Sequence, residues 1–299
     1  MNVGVDFTDL TRRHHRELHV HCYRMLGSYE AAEDHVQEVF LRAWRARDSF
    51  ESRSSTRTWL YRIATNACLD TLRRSTPRPQ PYPDHLLDGH PGPEAVAVGR
   101  ETISLAFLAA IQLLPPRQRA ALILRDVLDW SAREVADLLD TTVTAANSAL
   151  QRARGTLRAR WPAGRGDWAP AEAPDATQRN LLERYIAAHE RADPAALVAL
   201  LREDVRLTIE PEVGEWTGRA AVAGALHEGM TTPGAWRMLP TSANRQPAVA
   251  GYVRAAGDTV FRPFVLSVLS PGRDGDLAAM DVFHVPALFP AFGLPPGLT

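Results

Sequence analysis

The chain has 299 residues, with 34 basic and 35 acidic side chains and a formal net charge of −1. This length predicts two or three compact domains, and the balanced charge means that any affinity for nucleic acid must come from local charge patterning. The two cysteines, Cys22 and Cys68, lie far apart without metal-like spacing, which argues against a disulfide framework or a zinc site. We therefore expect neither a metal nor a cofactor.

The first residues, MNVGVDFTDLTRRHHRE, lack the apolar core of a secretory signal. The longest nearly apolar run, ISLAFLAAIQLL at 103–114, is too short to cross a bilayer. These two features predict a cytoplasmic protein with no membrane partner.

Residues 8–74 carry apolar side chains at helical spacing and contain few helix breakers. Val36, Val39, Phe40, Ala43 and Trp44 are three and four residues apart, so a helix would place them on one face. We expect this segment to be all-helical.

Two stretches rich in helix breakers divide the chain. Residues 75–94 contain six prolines, which prevent regular hydrogen bonding and favour an extended linker. Helical patterning resumes from about 101 to 161, and residues 162–176 again have the Pro, Gly and Ala composition of a linker.

Residues 114–160 have the pattern of a helix-turn-helix. Pro116 suits the first turn of a helix, and Ser131 with Glu134 forms the S-x-x-E pattern of a capping box. The helix that begins at Ser131 should end near Asp140, and another should begin after Thr142.

That last helix has an apolar side and a polar side that carries no acid. The apolar side holds Ala146, Leu150, Ala153, Leu157 and Trp161. The polar side holds Asn147, Ser148, Gln151, Arg152, Arg154 and Arg158. Two interpretations stay open: a solvated surface helix, or a helix whose arginines contact phosphates while Asn147 and Gln151 reach base edges.

The residues from 177 onward change character. Helical stretches at about 177–191 and 194–202 precede the alternating run DVRLTIE and the helix-like run GRAAVAGALHEG. Strand-like runs follow, AVAGYVRAA, VFRPFVLSVLS and LAAMDVFHV, with the turn residues PGRDGD between the last two. The pattern predicts an α+β domain.

The stretch AEDHVQEVFLRAWRARDSFESRSSTRTWLYRIATNACLDTLRR, residues 32–74, resembles region 2 of the bacterial RNA polymerase sigma factors of the extracytoplasmic function (ECF) group. The block from Leu114 to Arg160 resembles region 4 of the same sigma-70 family, in the right order and after a linker of suitable length. The resemblance implies two partners, promoter DNA and core RNA polymerase, which would be contacted at the beta-prime clamp and the beta flap. It also implies that residues 75–100 thread toward the RNA exit path.

The resemblance to region 2 assigns two sets of site residues. Polymerase binding falls on Asp34, Gln37 and Glu38, which helical spacing places together as an exposed polar patch. Binding of the −10 element falls on Phe50, Ser52, Arg53, Ser54, Ser55 and Asn66. Such a pocket holds bases pulled out of the stack, at a cost of a few kcal/mol each. Trp59 lies at helical spacing from Ile63 and is expected in the core.

The resemblance to region 4 assigns −35 binding to Asn147, Ser148, Gln151, Arg152, Arg154 and Arg158. Many relatives place arginine at the position of Asn147. Arginine prefers guanine whereas asparagine prefers adenine, so the −35 sequence cannot be copied from those relatives.

Residues 177–285 resemble the SnoaL-like branch of the nuclear-transport-factor-like fold, which also includes ketosteroid isomerases. The resemblance implies an apolar pocket that could hold a small ligand. Tyr185 matches the isomerase tyrosine, and Glu210 lies near the position of the catalytic base if one residue is inserted. Val265 stands where the second carboxylic acid would be, so we expect a regulatory module and no enzyme.

The fold expected from these resemblances is multidomain: two all-α sigma domains, a region 2 bundle and a region 4 helix-turn-helix, followed by an α+β cone-shaped SnoaL-like barrel. The expected order is region 2, extended linker, region 4, second linker and SnoaL-like domain, at 1–76, 77–100, 101–162, 163–176 and 177–299. The predicted function is that of an ECF sigma factor modulated by its tail. The alternatives are a bifunctional protein whose tail is an isomerase acting on a small apolar ligand, and a DNA-binding regulator that works without polymerase.

Overall fold

The computed structural model describes residues 7–47, 55–87, 104–160, 176–210, 214–230, 234–272 and 274–299. The chain divides into two compact units. The first contains residues 1–80 and 89–169, and the second contains residues 81–88 and 170–299. The first is helical and the second combines helices with a sheet, which confirms the predicted fold class.

The first three helices form a bundle around an apolar core. They are α1 (Phe7–Leu26), α2 (Tyr29–Ala46) and α3 (Thr56–Leu72). The predicted apolar face of α2 is buried at Val36, Val39, Phe40 and Ala43. Trp44 departs from that prediction, because its side chain is 48% exposed and packs edge-on against Phe7 at the border of the core.

The next helices begin at residues whose local chemistry favours a helix start. They are α4 (Leu105–Gln112), α5 (Pro116–Leu122), α6 (Ala132–Leu138) and α7 (Val143–Arg160), with a π turn (Ile123–Val127) after α5. The predicted capping box is present at α6, where Ser131 and Glu134 bond reciprocally. The hydroxyl of Thr142 accepts a hydrogen bond from the backbone N–H of Ala145, at 3.1 Å, and so caps α7.

A buried guanidinium joins the ends of two helices in the first unit. Arg119, on α5, is 3% exposed and donates to the backbone carbonyls of Ile111 (3.0 Å), Gln112 (2.9 Å) and Leu114 (3.3 Å) at the end of α4. It also donates to the carbonyl of Met25, in the last turn of α1. Helices leave their last carbonyls without internal partners, and Arg119 supplies donors to two such ends at once.

The described part of the second unit contains three α-helices and six strands. The helices are α8 (Ala176–Glu190), α9 (Pro194–Val198) and α10 (Arg219–Met230). The strands are β1 (Leu201–Glu210), β2 (Gly214–Thr217), β3 (Ala235–Ala243), β4 (Gln246–Arg254), β5 (Arg262–Pro271) and β6 (Leu277–Phe283). A 3₁₀ turn (Pro286–Phe292) follows β6. The helix expected at 194–202 stops at Val198, because the chain from Leu201 enters the sheet.

The six strands form one mixed sheet in the order β2-β1-β6-β5-β4-β3, in which only β1 and β6 pair in parallel. One face packs under α8 and α10 in a core that includes Leu181, Leu207, Val249 and Met280. The opposite face packs against the 3₁₀ turn, where the ring of Tyr252 meets that of Phe289 edge-on with centroids 5.1 Å apart. The sheet is thus covered on both faces.

No helix among the described residues is long and apolar enough to cross a membrane.

We predict that Arg119→Met lowers the free energy of unfolding by about 2–4 kcal/mol, because it leaves several buried carbonyls without a donor. Denaturant unfolding of the full chain, followed through the helical signal, measures this loss. Arg117→Met is the matched control, since Arg117 lies two residues away and is exposed. The control should stay within about 0.5 kcal/mol of the unchanged chain. Equal losses in the two variants would contradict the role given to Arg119.

Candidate nucleic-acid interface and C-terminal cavity

The second helix of the helix-turn-helix presents a polar face to solvent. Asn147, Gln151, Arg152 and Arg158 are exposed on α7, while Ser148 is half-buried. The apolar side is buried as predicted at Ala146, Leu150, Ala153 and Leu157, and Trp161 lies outside the described residues. Because the apolar side of α7 is buried, its two amides and two of its arginines are exposed and accessible to a ligand.

Arg154 does not share the exposed arrangement of its neighbours. Its Nε donates to Asp126 Oδ2 at 2.9 Å and its terminal nitrogen to Oδ1 at 2.5 Å, a two-bond pair between α7 and the π turn. This pairing raises the pKa of Arg154. As expected, the acid does not come from α7 itself, because Asp126 lies 28 residues earlier in the chain. Arg154 is therefore a structural side chain in this state.

The predicted −10 residues are only partly described. Phe50, Ser52, Arg53 and Ser54 lie outside the described residues. Ser55 is exposed and caps α3, its hydroxyl accepting from the N–H of Thr58 at 3.1 Å. Asn66 is half-buried on α3, three turns further along.

The aromatic side chains of α3 are less available than a base-stacking surface requires. Tyr61 is 1% exposed, and its hydroxyl donates to Glu17 at 3.2 Å. Burial, followed by the nearby charge of Glu17, raises the pKa of Tyr61. Trp59 is half-buried, so the core position expected for it is only partly reached.

The three polar residues predicted for polymerase binding lie on α2. Asp34 and Gln37 are exposed, and Glu38 is half-buried and paired with Arg42 at 2.7 Å. That hydrogen bond lowers the pKa of Glu38. Leu41 extends the same face and is 52% exposed, a feature missed by the sequence reasoning. We call Asp34, Gln37, Glu38 and Leu41 the α2 patch.

The second unit encloses a cavity of about 300 Å³ between its sheet and helices α8 and α10. Tyr185 and Val265 line it, as the resemblance to isomerases implied, but Glu210 does not. Leu207 and Ile209 point into the cavity, and side chains alternate along a strand, so Glu210 faces the other way. There it lies near Asp281, whose pKa is raised to about 6 by burial and, to a smaller extent, by Glu210. Tyr185 and Glu210 are thus not brought together.

Part of the first predicted linker packs on the second unit. The N–H of Tyr82 donates to Asn244 Oδ1 (2.8 Å), and the N–H of Asn244 donates back to the carbonyl of Tyr82 (2.9 Å). Asp84 accepts from the N–H of Arg245 at 2.7 Å, and Pro83 forms an antiparallel bridge with Ala243. Tyr82 is 1% exposed. Residues 82–84 are therefore held on the β3–β4 hairpin by these hydrogen bonds and one isolated bridge, instead of running through solvent.

No group of three or more potential metal ligands occurs in the part of the chain that the structure describes.

Comparison with known families gives three matches along the chain. They are Sigma-70 region 2 at residues 10–78, Sigma-70, region 4 at residues 104–157, and the SnoaL-like domain at residues 182–287.

The chain is also similar to individual proteins of known family. The ECF RNA polymerase sigma factor SigG of Mycobacterium tuberculosis (strain ATCC 25618 / H37Rv) is 42% identical, over 98% of this chain and 85% of its own length. The ECF RNA polymerase sigma factor SigW of Bacillus subtilis (strain 168) is 32% identical over 51% of this chain and 87% of its own length. The crystal structure of the extracytoplasmic function sigma factor SigJ of Mycobacterium tuberculosis superposes with a TM-score of 0.64. It covers 97% of this chain and 99% of SigJ at 23% identity, a likeness of fold.

We predict that Asp126 and Arg154 stabilise the helix-turn-helix as a pair. Asp126→Ala, Arg154→Ala and the double variant should give a coupling energy of about 1 kcal/mol, since the pair is bidentate and Asp126 is largely buried. Thermal or denaturant unfolding of the full chain measures it. The control cycle combines Asp126→Ala with Arg152→Ala, which should be additive because Arg152 is exposed. A coupling near zero for Asp126 and Arg154 would show that the contact contributes no stability.

Proposed function

Because the chain belongs to the ECF RNA polymerase sigma factors, we propose that it binds core RNA polymerase, recognises −35 and −10 promoter elements and promotes DNA opening. We further propose that its C-terminal domain modulates this activity. The observation that carries the proposal is the exposed polar face of α7, with two amides and two arginines on a helix anchored by its apolar side. Its site of action would be the cytoplasm.

The −35 element would be read in the major groove by α7. Asn147 and Gln151 carry the amides that pair with adenine edges, while Arg152 and Arg158 supply charge for phosphates. Arg154 would serve this reading through Asp126, by holding α7 against the π turn. Ser148, half-buried beside them, would contact the sugar-phosphate backbone of the DNA.

The −10 element would be bound by the segment that leads into α3. Family resemblance assigns Phe50, Ser52, Arg53, Ser54, Ser55 and Asn66 to this role. Extruding a base costs a few kcal/mol, which an aromatic ring and several hydroxyl and guanidinium donors are chemically suited to offset. Ser55 would divide its hydroxyl between capping α3 and meeting DNA.

Core polymerase would dock on the α2 patch. The patch combines two carboxylates, an amide and an exposed leucine, which is the mixture of apolar anchor and polar rim typical of protein interfaces. The beta-prime clamp is the partner implied by the family, and region 4 would meet the beta flap.

The C-terminal domain would act through the linker. Tyr82, Pro83 and Asp84 are bound to the β3–β4 hairpin, so this part of the linker is withheld from any other partner. Family resemblance implies that the linker threads into polymerase, and releasing it would then require breaking these contacts. The domain would therefore restrain initiation.

An isomerase function for the C-terminal domain is not favoured. The cavity has Tyr185, but its wall carries Val265 where a carboxylic acid would be needed, and Glu210 points to the opposite face. A polymerase-independent regulator is also not favoured, because it leaves the match to region 2 without a role.

Run-off transcription with purified core polymerase tests the proposal. On templates with randomised −35 and −10 segments, transcripts should appear only when the chain is added. The transcribed templates should be enriched in one −35 and one −10 sequence, at a fixed distance from the start site. Leu41→Asp should weaken core binding by roughly tenfold or more, because it replaces the exposed apolar side chain of the α2 patch with a charge. Leu113→Asp is the control, as Leu113 is equally exposed outside that patch. Absence of any chain-dependent transcript would contradict the proposed function.

The same assay tests the restraint by the linker. Asn244→Gly removes the acceptor for Tyr82 but keeps the positive φ of 56°, which glycine tolerates. Losing one buried hydrogen bond should raise transcript yield about 2–10-fold. His85→Ala, at an exposed position of the same segment, should leave the yield unchanged. A fall in yield with Asn244→Gly would mean that docking supports initiation instead.

Two substitutions on α7 separate base reading from phosphate contact. With the chain bound to core polymerase, Asn147→Arg should shift preference at one −35 position from adenine toward guanine by about 1–3 kcal/mol. Arg158→Ala should weaken all sequences alike and reduce the slope of log affinity against log salt by about 1. Each variant is the control for the other. Unchanged base preference in Asn147→Arg would remove that residue from the reading face.

A further inference from the structure

The cavity of the second unit is lined by an uninterrupted series of aromatic rings. Tyr185 and His189 lie with ring centroids 4.3 Å apart, and His189 and Trp236 with centroids 6.3 Å apart. Trp236 meets Phe264 at 5.6 Å, and Phe264 meets His284 at 4.9 Å. A volume of about 300 Å³ is at the small end of ligand sites and holds roughly ten water-sized groups. A cavity lined by aromatic rings favours contact with a flat apolar molecule.

The interior of the cavity carries no charge near neutral pH. Burial lowers the pKa of His189 to about 4, and burial raises the pKa of Tyr185 to about 12. The pKa of His284 is also lowered by burial. Among the described lining residues, this leaves Glu228, which is exposed at the edge, as the charged group. An anion entering the cavity would lose its hydration without gaining a counter-ion among the described lining residues.

Two polar atoms in the cavity wall, one acceptor and one donor, are suited to bind the hydroxyl group of a ligand. His189 Nδ1 faces the carbonyl of Tyr185 at 3.2 Å, and a carbonyl only accepts, so Nδ1 carries the proton and Nε2 of the neutral ring is an acceptor. The indole N–H of Trp236 is buried and has no partner among the described residues. A buried donor without a partner is costly, and a ligand oxygen is the group that would relieve it.

We propose that this cavity binds a neutral, flat aromatic molecule that carries a hydroxyl group, its ring packed among Tyr185, Trp236 and Phe264 and its oxygen against His189 and Trp236. The proposal is of binding without chemistry, since the carboxylate of the described lining, that of Glu228, is exposed at the edge of the cavity. The proposal concerns the C-terminal domain alone, so it stands or fails independently of the proposed role in transcription.

Titration of the full chain with 2-naphthol at pH 7.5 tests the proposal. This probe is neutral, flat and hydroxylated, and it should bind with a dissociation constant on the order of 10–100 µM. The anionic probe 2-naphthoate has the same ring system and should bind at least about tenfold more weakly. Undetectable binding of 2-naphthol, or equal affinity for the two probes, would overturn the proposal.

Two glycines of α10 provide a matched pair of variants that locate the site. A Cβ added at Gly229 or at Gly224 meets no atom within 4 Å, so a side chain can start at either position without a clash. Gly229 lines the cavity and Gly224 does not. Gly229→Leu should therefore fill the cavity and weaken 2-naphthol binding about tenfold, while Gly224→Leu leaves it unchanged. Equal affinities in the two variants would place the probe elsewhere and overturn the proposal.

The indole N–H is tested by comparing 2-naphthol with naphthalene. Trp236→Phe keeps an aromatic ring and removes the donor, so it should reduce the preference for 2-naphthol over naphthalene several-fold. Circular dichroism of the variant checks that the sheet is intact. A preference unchanged by Trp236→Phe would overturn the assignment of Trp236 as the donor.

Discussion

Arg119 places one positive charge among the carbonyls that end two helices from different segments of the sequence, α1 and α4. Burial lowers its pKa to about 10, so the guanidinium stays charged at neutral pH. Because the acceptors are helix C-terminal carbonyls, the local dipoles stabilise the charge without a carboxylate partner. The rest of the first unit depends on this contact: the turn at Gly27 and the side chain of Gln112 meet beside it, and the helix-turn-helix continues from the same helix, α5.

The chain has almost no net charge, so its surface is basic only where exposed arginines are not balanced by nearby acids. Arg119 is buried in the first unit, and Arg154 is paired with Asp126. Arg152 and Arg158, on the same helix as Arg154, stay exposed. Pairing removes one charge from the face of α7 but fixes the helix that carries the others. Local patterning of this kind lets a nearly neutral protein present a basic surface, as the composition required.

Features set within one helical turn were predictable from sequence, such as the capping box of α6 and the buried side of α7, because cap chemistry and periodicity act locally. Contacts across the chain were not: Asp126 with Arg154, Arg119 with Met25, and Asn244 with Tyr82 join residues that no spacing relates.

Glu210 was misjudged for a different reason. Strands alternate with a period of two, so an uncertainty of one residue in register moves a side chain to the other face. Strands β2 and β3 are not among the strand-like runs named from the sequence, and β3 contains Pro240, which is tolerated at the edge of a sheet.

The docked linker also shortens the tether between the two helical segments. Gln80 is held on the turn between α1 and α2 by Tyr23, Ser28 and Glu30, and the next residues are held on the β3–β4 hairpin. Sixteen residues, 88–103, then connect this segment to Ser104, and a fully extended chain of that length spans at most roughly 55 Å. Freed from the hairpin, the whole stretch from residue 81 to 103 would span roughly 80 Å. By holding residues 82–84, the hairpin therefore lowers the upper limit that the connecting chain sets on the distance between α3 and α4.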